Sequence, residues 1–98
     1  MPTYEATNRF WRDHQGLTQE AAAAFRATLP DFIEAIRNGP PYPHNLRIKP
    51  VQGTRRRIYE VSFANDGRAT FHFGEPLEAG EAHVVWRRVG DHSVLGFP

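Results

Sequence analysis

The chain contains no cysteine among its 98 residues. Disulfide bonds and thiolate zinc sites are therefore excluded, and the composition suits a reducing compartment. No apolar run approaches the roughly 18 residues that a membrane-spanning helix needs, and the first residues lack the apolar core of a signal peptide. We therefore expect a cytoplasmic protein with no membrane partner. Since repeats, linkers and low-complexity segments are also lacking, this length predicts a single domain over residues 1–98.

Metal-binding motifs are also lacking. The five histidines do not show the paired spacing of a zinc site, and no His-Glu-x-x-His pattern occurs. We expect neither a bound metal nor a cofactor, because a chain of this length has room for one core and one site.

Positive charge is sparse at both ends of the chain and concentrated in the middle. Residues 46–73 carry six basic and two acidic side chains, against four basic and five acidic in residues 1–45. A localised basic surface is typical of proteins that bind nucleic acid. For the arginines at positions 55–57, a solvated run of surface charge is an equally good explanation.

The first half of the sequence predicts a short strand at residues 4–7 and then two helices. Asn8 and Thr18 have the side chains of N-caps, and the helices are expected to end at Gly16 and Asn38. Pro30 removes a backbone donor and is expected to kink or divide the second helix. That helix has one apolar stripe, formed by Phe25, Leu29, Phe32, Ile33 and Ile36.

The second half predicts strands. Apolar and polar residues alternate over residues 46–51, 58–63 and 68–73, and a last strand is expected at residues 83–89. Asn65-Asp66-Gly67 has the composition of a hairpin turn. Helices segregated to one end of such a chain predict an α+β fold of two layers. In it, an N-terminal helical hairpin packs on a mainly antiparallel sheet of four to five strands.

The alternation also predicts the two faces of the sheet, because successive side chains of a strand point to opposite sides. Ala69, Phe71 and Phe73 are expected to meet the helices. The opposite face is expected to be open and basic and to carry His72. We place His83 at the surface. The aromatic residues expected in the core are Trp11, Phe25, Phe32, Tyr59, Phe71 and Trp86.

Four short patterns, together with the order of elements, resemble the RelE/ParE toxin superfamily, which includes the ribosome-dependent mRNA interferases of bacterial toxin–antitoxin pairs. The patterns are Phe10-Trp11-Arg12-Asp13, Ile58-Tyr59-Glu60-Val61-Ser62-Phe63, Asp66-Gly67-Arg68-Ala69-Thr70-Phe71 and Trp86-Arg87-Arg88-Val89-Gly90-Asp91-His92. The resemblance covers nearly the whole chain and implies a RelE/ParE-like α+β fold.

The resemblance also implies site residues. The arginine that opens the second hairpin strand, Arg68, is expected in the active cleft, and the histidine after the last strand, His92, is expected to transfer a proton. His72, Asp66 and His44 match assisting positions of the YafQ-like branch. Asp91 departs from the small hydroxyl residue usual at its position, and its carboxylate would raise the basicity of His92 if the two side chains touch.

Metal-independent RNA cleavage needs a group that takes the 2′-hydroxyl proton, a donor for the leaving oxygen and cations on the developing charge. His92 and His72 are the candidates for proton transfer, and Arg68 is the candidate for holding phosphate. Further cations that are candidates for substrate binding are Lys49, Arg47, Arg55, Arg56, Arg87 and Arg88. Arg68 has a structural alternative, since it can pair with Glu60 across the hairpin.

The implied function is that of a toxin that cleaves mRNA on the ribosome and is silenced by a cognate antitoxin protein. Two alternatives share the fold. One is a ParE-like inhibitor that binds DNA gyrase without chemistry, and the other is an inactive relative that binds nucleic acid. Since fold alone does not separate these functions, the presence of Arg68, His72 and His92 favours the ribonuclease.

Overall fold

The computed structural model describes residues 1–53 and 57–98. The helices are α1 (Asn8–Gln15) and α2 (Gln19–Asn38). The strands are β1 (Thr3–Ala6), β2 (Lys49–Pro50), β3 (Tyr59–Phe63), β4 (Gly67–Phe73) and β5 (His83–Asp91). Two short 3₁₀ helices lie at His44–Leu46 and His92–Gly96.

The strands form one five-stranded sheet in the order β1-β5-β4-β3-β2. β1 runs parallel to β5, and the other three pairings are antiparallel. The predicted α+β fold with a mainly antiparallel sheet is thus confirmed. Within the described ranges, no helix is long and apolar enough to cross a membrane.

Threonine side chains begin both helices. The Oγ1 of Thr18 accepts the Ala21 N–H at 3.1 Å, as the sequence predicts. In α1 the cap is Thr7, whose Oγ1 accepts the Phe10 N–H at 3.1 Å, and not Asn8, which is already helical. The prediction for Asn8 was wrong because Thr7 is extended and also fits the capping rule.

Pro30 does not divide α2, which continues from Gln19 to Asn38. A proline inside a helix leaves the carbonyl four residues earlier without its donor. Here that carbonyl belongs to Arg26, and both residues are exposed. Water can therefore satisfy the carbonyl, and the helix continues.

The core is an aromatic cluster between α2 and the sheet. Phe32 packs edge to face against Phe71 with ring centroids 5.1 Å apart, and it lies 4.8 Å from Trp86. Phe25 lies 5.3 Å from Phe63 and 5.4 Å from Trp86. These contacts confirm the predicted apolar stripe of α2 and the predicted inner face of β4. At the rim of that face, Phe73 is 40% exposed.

The prediction of Trp11 as a core residue was wrong, since its side chain is 49% exposed. Phe10, the preceding residue, is buried against Phe25 and Trp86 instead. A helix as short as α1 buries only a narrow stripe, and successive residues point about 100° apart.

The predicted strand at residues 46–51 was too long. The chain forms a 3₁₀ helix at His44–Leu46, and β2 contains only Lys49 and Pro50. Between them Arg47 has φ 51°, a left-handed conformation that interrupts an extended chain.

The polar face of the sheet is less open than predicted. Thr70, Glu60 and Ser62 are all buried. After β5 the chain folds back over this face, where the Oγ1 of Thr70 donates to the Pro98 oxygen at 3.1 Å. The alternation of β4 correctly separates the two faces, but it does not show what covers each one.

His83, the first residue of β5, is buried beside β1, contrary to the predicted surface position. Its Nε2 lies 2.8 Å from the Glu5 carboxylate and its Nδ1 lies 2.8 Å from the Thr3 hydroxyl. Both ring nitrogens therefore have partners on β1, and burial does not leave the imidazole unsatisfied.

Replacing Phe71 by alanine removes a side chain in contact with both Phe32 and Trp86, and is expected to lower the free energy of unfolding by about 3–5 kcal/mol. Phe73→Ala is the matched control, because the same ring is removed from a half-open position, and we expect a smaller loss. Urea titration followed by circular dichroism measures both values. Equal losses for the two variants would show that the helices cover a different part of the sheet.

Candidate active site

An imidazole and a carboxylate meet where β5 ends. The Nδ1 of His92 lies 2.9 Å from Oδ1 of Asp66, and the two side chains are 71% and 60% exposed. Asp66 belongs to the turn between β3 and β4, and the pairing of Gly67 with Asp91 brings this turn beside His92. The structure therefore brings together two of the predicted site residues from distant parts of the sequence.

This contact orients the imidazole. A carboxylate is an acceptor only, so the Nδ1 of His92 carries the hydrogen that it donates to Asp66. In the neutral ring Nε2 is then the nitrogen with a lone pair. This arrangement leaves Nε2 as the ring nitrogen suited to proton exchange.

Gly67 makes the turn possible. A Cβ atom at this position would collide with the carbonyl oxygen and the ring of Phe63. Only glycine therefore allows Gly67 to pair closely with Phe63. This pairing fixes the position of Asp66, the residue before Gly67 in the turn.

Asp91 has a different role from the one the sequence suggested. Its Oδ1 accepts the Ser93 N–H at 2.9 Å and caps the 3₁₀ helix that contains His92. Hydrogen bonds from the Ser93 side chain and backbone lower the pKa of Asp91, and the nearby His92 adds a smaller effect in the same direction. The carboxylate bonded to the imidazole is that of Asp66.

Arg68 lies on β4 opposite Gly90 of β5, at the same end of the sheet as His92. Its Nη1 donates to the Gly67 carbonyl at 2.8 Å, and its Nε lies 3.9 Å from the buried Glu60 carboxylate. The cross-strand ion pair with Glu60 is thus present. In the described part of the chain Nη2 donates to no group.

Arg47 and Arg68 line a common cavity of about 240 Å³. It lies between α2, the first 3₁₀ helix and the β3–β4 hairpin, and its wall also includes Asp31 and Ser62. Two arginines from distant parts of the sequence therefore border one polar space.

His72 contacts Arg87 on the polar face. The Nη1 of Arg87 lies 3.1 Å from the Nδ1 of His72. Because a guanidinium group has only donors, Nδ1 accepts and the proton of the neutral ring lies on Nε2. Arg87 is the extra residue of a bulge, since Thr70 pairs with Arg88 and Phe71 with Trp86.

Arg88 holds α1 against β5. Its Nε and Nη2 donate to the two carboxylate oxygens of Asp13 at 2.6 and 3.3 Å. Oδ2 of Asp13 also accepts the Val89 N–H at 3.2 Å, on the side of β5 where β1 has ended and no strand is paired. Sequence reasoning missed Asp13, although an acidic residue near the end of a helix would have been a usable signal.

Two further predicted residues belong to elements that do not contribute to the dyad. His44 lies in the first 3₁₀ helix and Lys49 in the edge strand β2, and both are exposed. Arg55 and Arg56 lie outside the described residues. These four residues stay predictions.

One group of described residues has side chains suited to a metal ion. Asp66, Asp91 and His92 each offer a ligand atom, and these atoms lie within 4.8 Å of one another. The spacing of residues in the sequence does not show this group. Asp66 comes from the turn between β3 and β4, whereas Asp91 and His92 lie at the end of β5.

No protein-family model and no curated protein match the chain. Solved structures do. A YoeB/ParE toxin from Agrobacterium tumefaciens superposes with a TM-score of 0.65 at 14% identity, over 92% of this chain and 98% of that one. YafQ in the E. coli DinJ–YafQ complex gives a TM-score of 0.58 at 16% identity, over the whole of both chains.

A metal-bound toxin from Helicobacter pylori gives a TM-score of 0.58 at 17% identity, over 95% of this chain and 97% of that one. At these identities the similarity concerns the fold. The chain therefore has the fold of these bacterial toxins, as its RelE/ParE-like motifs predict.

Because the ionised Asp91 carboxylate caps the 3₁₀ helix after β5, we expect the stability of this cap to depend on pH. Its folded-state pKa lies below the ordinary value of 3.8, so its contribution to stability is present above that value and is lost as the pH falls through the folded pKa. Ser93→Ala removes the hydroxyl but keeps the backbone N–H, and should move the Asp91 pKa upward. Carboxyl NMR titration measures it, and an unchanged value would exclude the Ser93 hydroxyl as a cause.

Proposed function

We propose that this protein is the toxin of a toxin–antitoxin pair and that it cleaves mRNA on the ribosome without metal. The observation that carries the proposal is the exposed His92–Asp66 dyad at the end of β5. A purely structural histidine would be expected to lie buried with both nitrogens bonded, as His83 does. His92 instead presents Nε2 on an open surface.

In this proposal His92 transfers the proton and Asp66 positions it. His92, as the base, takes the proton of the 2′-hydroxyl, that oxygen attacks the adjacent phosphorus, and the bond to the 5′-oxygen breaks as this oxygen takes a proton from water. Arg68 places a positive charge at the same end of the sheet, and its Nη2 is directed to no described group. Its guanidinium would neutralise the charge that develops on the phosphate.

His72 has a secondary place in the proposal. Its Nδ1 is bonded to Arg87. We propose it as an assisting group on the polar face, beside the guanidinium group of Arg87.

The antitoxin partner is proposed on the basis of the fold, which it shares with YafQ in its complex with DinJ. An apolar cavity of about 230 Å³ lies between α1, α2 and β1, and its wall includes Tyr4, Trp11 and Ile33. Tyr4 and Trp11 are exposed there. We propose that an apolar stretch of the antitoxin covers these rings, because exposed aromatic side chains are typical of interfaces.

The gyrase-binding alternative keeps the fold but needs no proton transfer. His92→Ala separates the two functions. If His92 is the catalytic residue, the variant should lose about 10²–10⁴-fold in cleavage rate while keeping native circular dichroism and antitoxin affinity. Arg68→Ala should also lose cleavage, His72→Ala should lose less, and Arg37→Ala, which removes an exposed arginine at the end of α2, is the matched control.

Growth after induction is a second readout for the same variants. Cells that produce the His92→Ala protein at the wild-type level should keep growing. Growth arrest by this variant, with intact mRNA and accumulating DNA breaks, would favour the gyrase-binding function.

The excess of basic side chains in residues 46–73 predicts that binding to RNA or the ribosome depends on salt. If Lys49 lies on the surface that meets the ribosome or RNA, Lys49→Glu should weaken binding and make its salt dependence shallower, because fewer counterions are released. Arg37→Glu reverses the same charge on α2 and serves as the control. Identical binding curves for Lys49→Glu and the wild type, from low to moderate salt, would assign Lys49 to the solvated surface.

A further inference from the structure

The cluster of Asp66, Asp91 and His92 combines one imidazole and two carboxylates. Their ligand atoms lie within 4.8 Å of one another, and all three residues are exposed. Around a zinc ion with bonds of about 2.0–2.2 Å, tetrahedral ligand atoms lie roughly 3.4 Å apart. Small rotations of these exposed side chains can shorten the distances between the ligand atoms from at most 4.8 Å to about 3.4 Å.

The fold brings these ligands together before any ion binds. The pairing of Gly67 with Asp91 fixes the turn that carries Asp66 next to the end of β5. The Asp91 carboxylate is held by the Ser93 N–H, and the His92 ring is held by Asp66. A site assembled in this way loses little conformational entropy when a ligand binds.

The chemistry of the set selects the class of ion. Imidazole suits zinc, copper and nickel, whereas magnesium and calcium prefer oxygen ligands alone. Three protein ligands on an open surface leave coordination positions for water. The arrangement therefore fits a reversibly bound divalent transition-metal ion better than a closed structural site.

We propose that this cluster binds a divalent transition-metal ion and that the bound ion silences His92. This part rests on the proposed function, because His92 is there the proton-transfer residue. When an ion takes Nδ1, the hydrogen of the neutral ring lies on Nε2, and Nε2 then has no lone pair with which to take a proton. An ion on Nδ1 would also break the hydrogen bond to Asp66 that orients the ring. Metal is thus an inhibitor of the cleavage, not its cofactor.

Binding is tested first, without RNA. Isothermal titration calorimetry of the purified full chain with zinc chloride, in a chelator-free buffer, should show one site. Asp91→Asn keeps an oxygen that can cap the 3₁₀ helix but loses the charge, and should weaken zinc binding at least tenfold. Asp66→Asn should do the same, and Glu20→Gln, which removes an exposed charge at the start of α2, should not.

Copper gives a second readout. Because Cu²⁺ is paramagnetic, substoichiometric copper should broaden the NMR signals of the His92 ring before those of the other four histidines. Zinc affinity unchanged in both aspartate variants, or copper broadening that begins at another histidine, would overturn the site.

Regulation is tested on the cleavage reaction. Zinc should stop cleavage by the wild-type protein, and a chelator should restore it. Each variant is compared with its own zinc-free rate, and Asp91→Asn should need at least tenfold more zinc for the same inhibition. A protein that binds zinc at this cluster and still cleaves mRNA at full rate would contradict the regulatory part. Zinc binding without cleavage under any condition would leave the site standing and refute the proposed function.

Discussion

The pairing of β4 with β5 is the constraint on which the rest of the structure depends. β5 lies between β1 and β4, and its ladder sets both the aromatic core and the end of the sheet where His92 emerges. On one face the ladder places Phe71 opposite Trp86, and α2 packs on that pair. At its end the ladder places Gly67 opposite Asp91 and so brings Asp66 to His92.

The bulge at Arg87 changes the face of the sheet to which the neighbouring arginine side chains point. Without it, Arg87 and Arg88 would lie on opposite faces of the sheet. With the extra residue, Arg87 contacts His72 on the polar face, and Arg88 lies opposite Thr70 of the same face. From there Arg88 also bonds Asp13 of α1. The two arginines therefore make different contacts. Arg87 bonds His72, whereas Arg88 bonds Asp13, which also accepts the Val89 N–H beyond the end of β1.

Much of this architecture could be predicted from the sequence because local rules and tertiary packing agree. The alternation of β4, the apolar stripe of α2 and the Thr18 cap all appear where they were expected. The bulge could not be predicted in this way. Trp86 and Val89 belong to one core cluster, although residues three positions apart lie on opposite faces of a regular strand, and this mismatch is visible only once the burial of both residues is known.

Two of the failures, the open polar face and the surface position of His83, have a common physical cause, which is that distant parts of the chain cover these residues. Nothing near Thr70 shows that the segment after β5 returns over it, and nothing near His83 shows that Thr3 and Glu5 will bond both of its nitrogens. The same holds at the candidate site. His92 was singled out by its position after the last strand, but the carboxylate beside it comes from a turn in the middle of the chain, and the neighbour in sequence, Asp91, is a cap.

We propose that the open His92–Asp66 dyad performs chemistry on RNA at the ribosome. The most direct measurement incubates the purified protein with the same mRNA in two forms, free and bound to programmed ribosomes, in the presence of a chelator. If the dyad is catalytic, we expect cleavage of the ribosome-bound mRNA and little cleavage of the free RNA. Intact mRNA in both reactions, together with inhibition of purified gyrase by the same preparation, would contradict it.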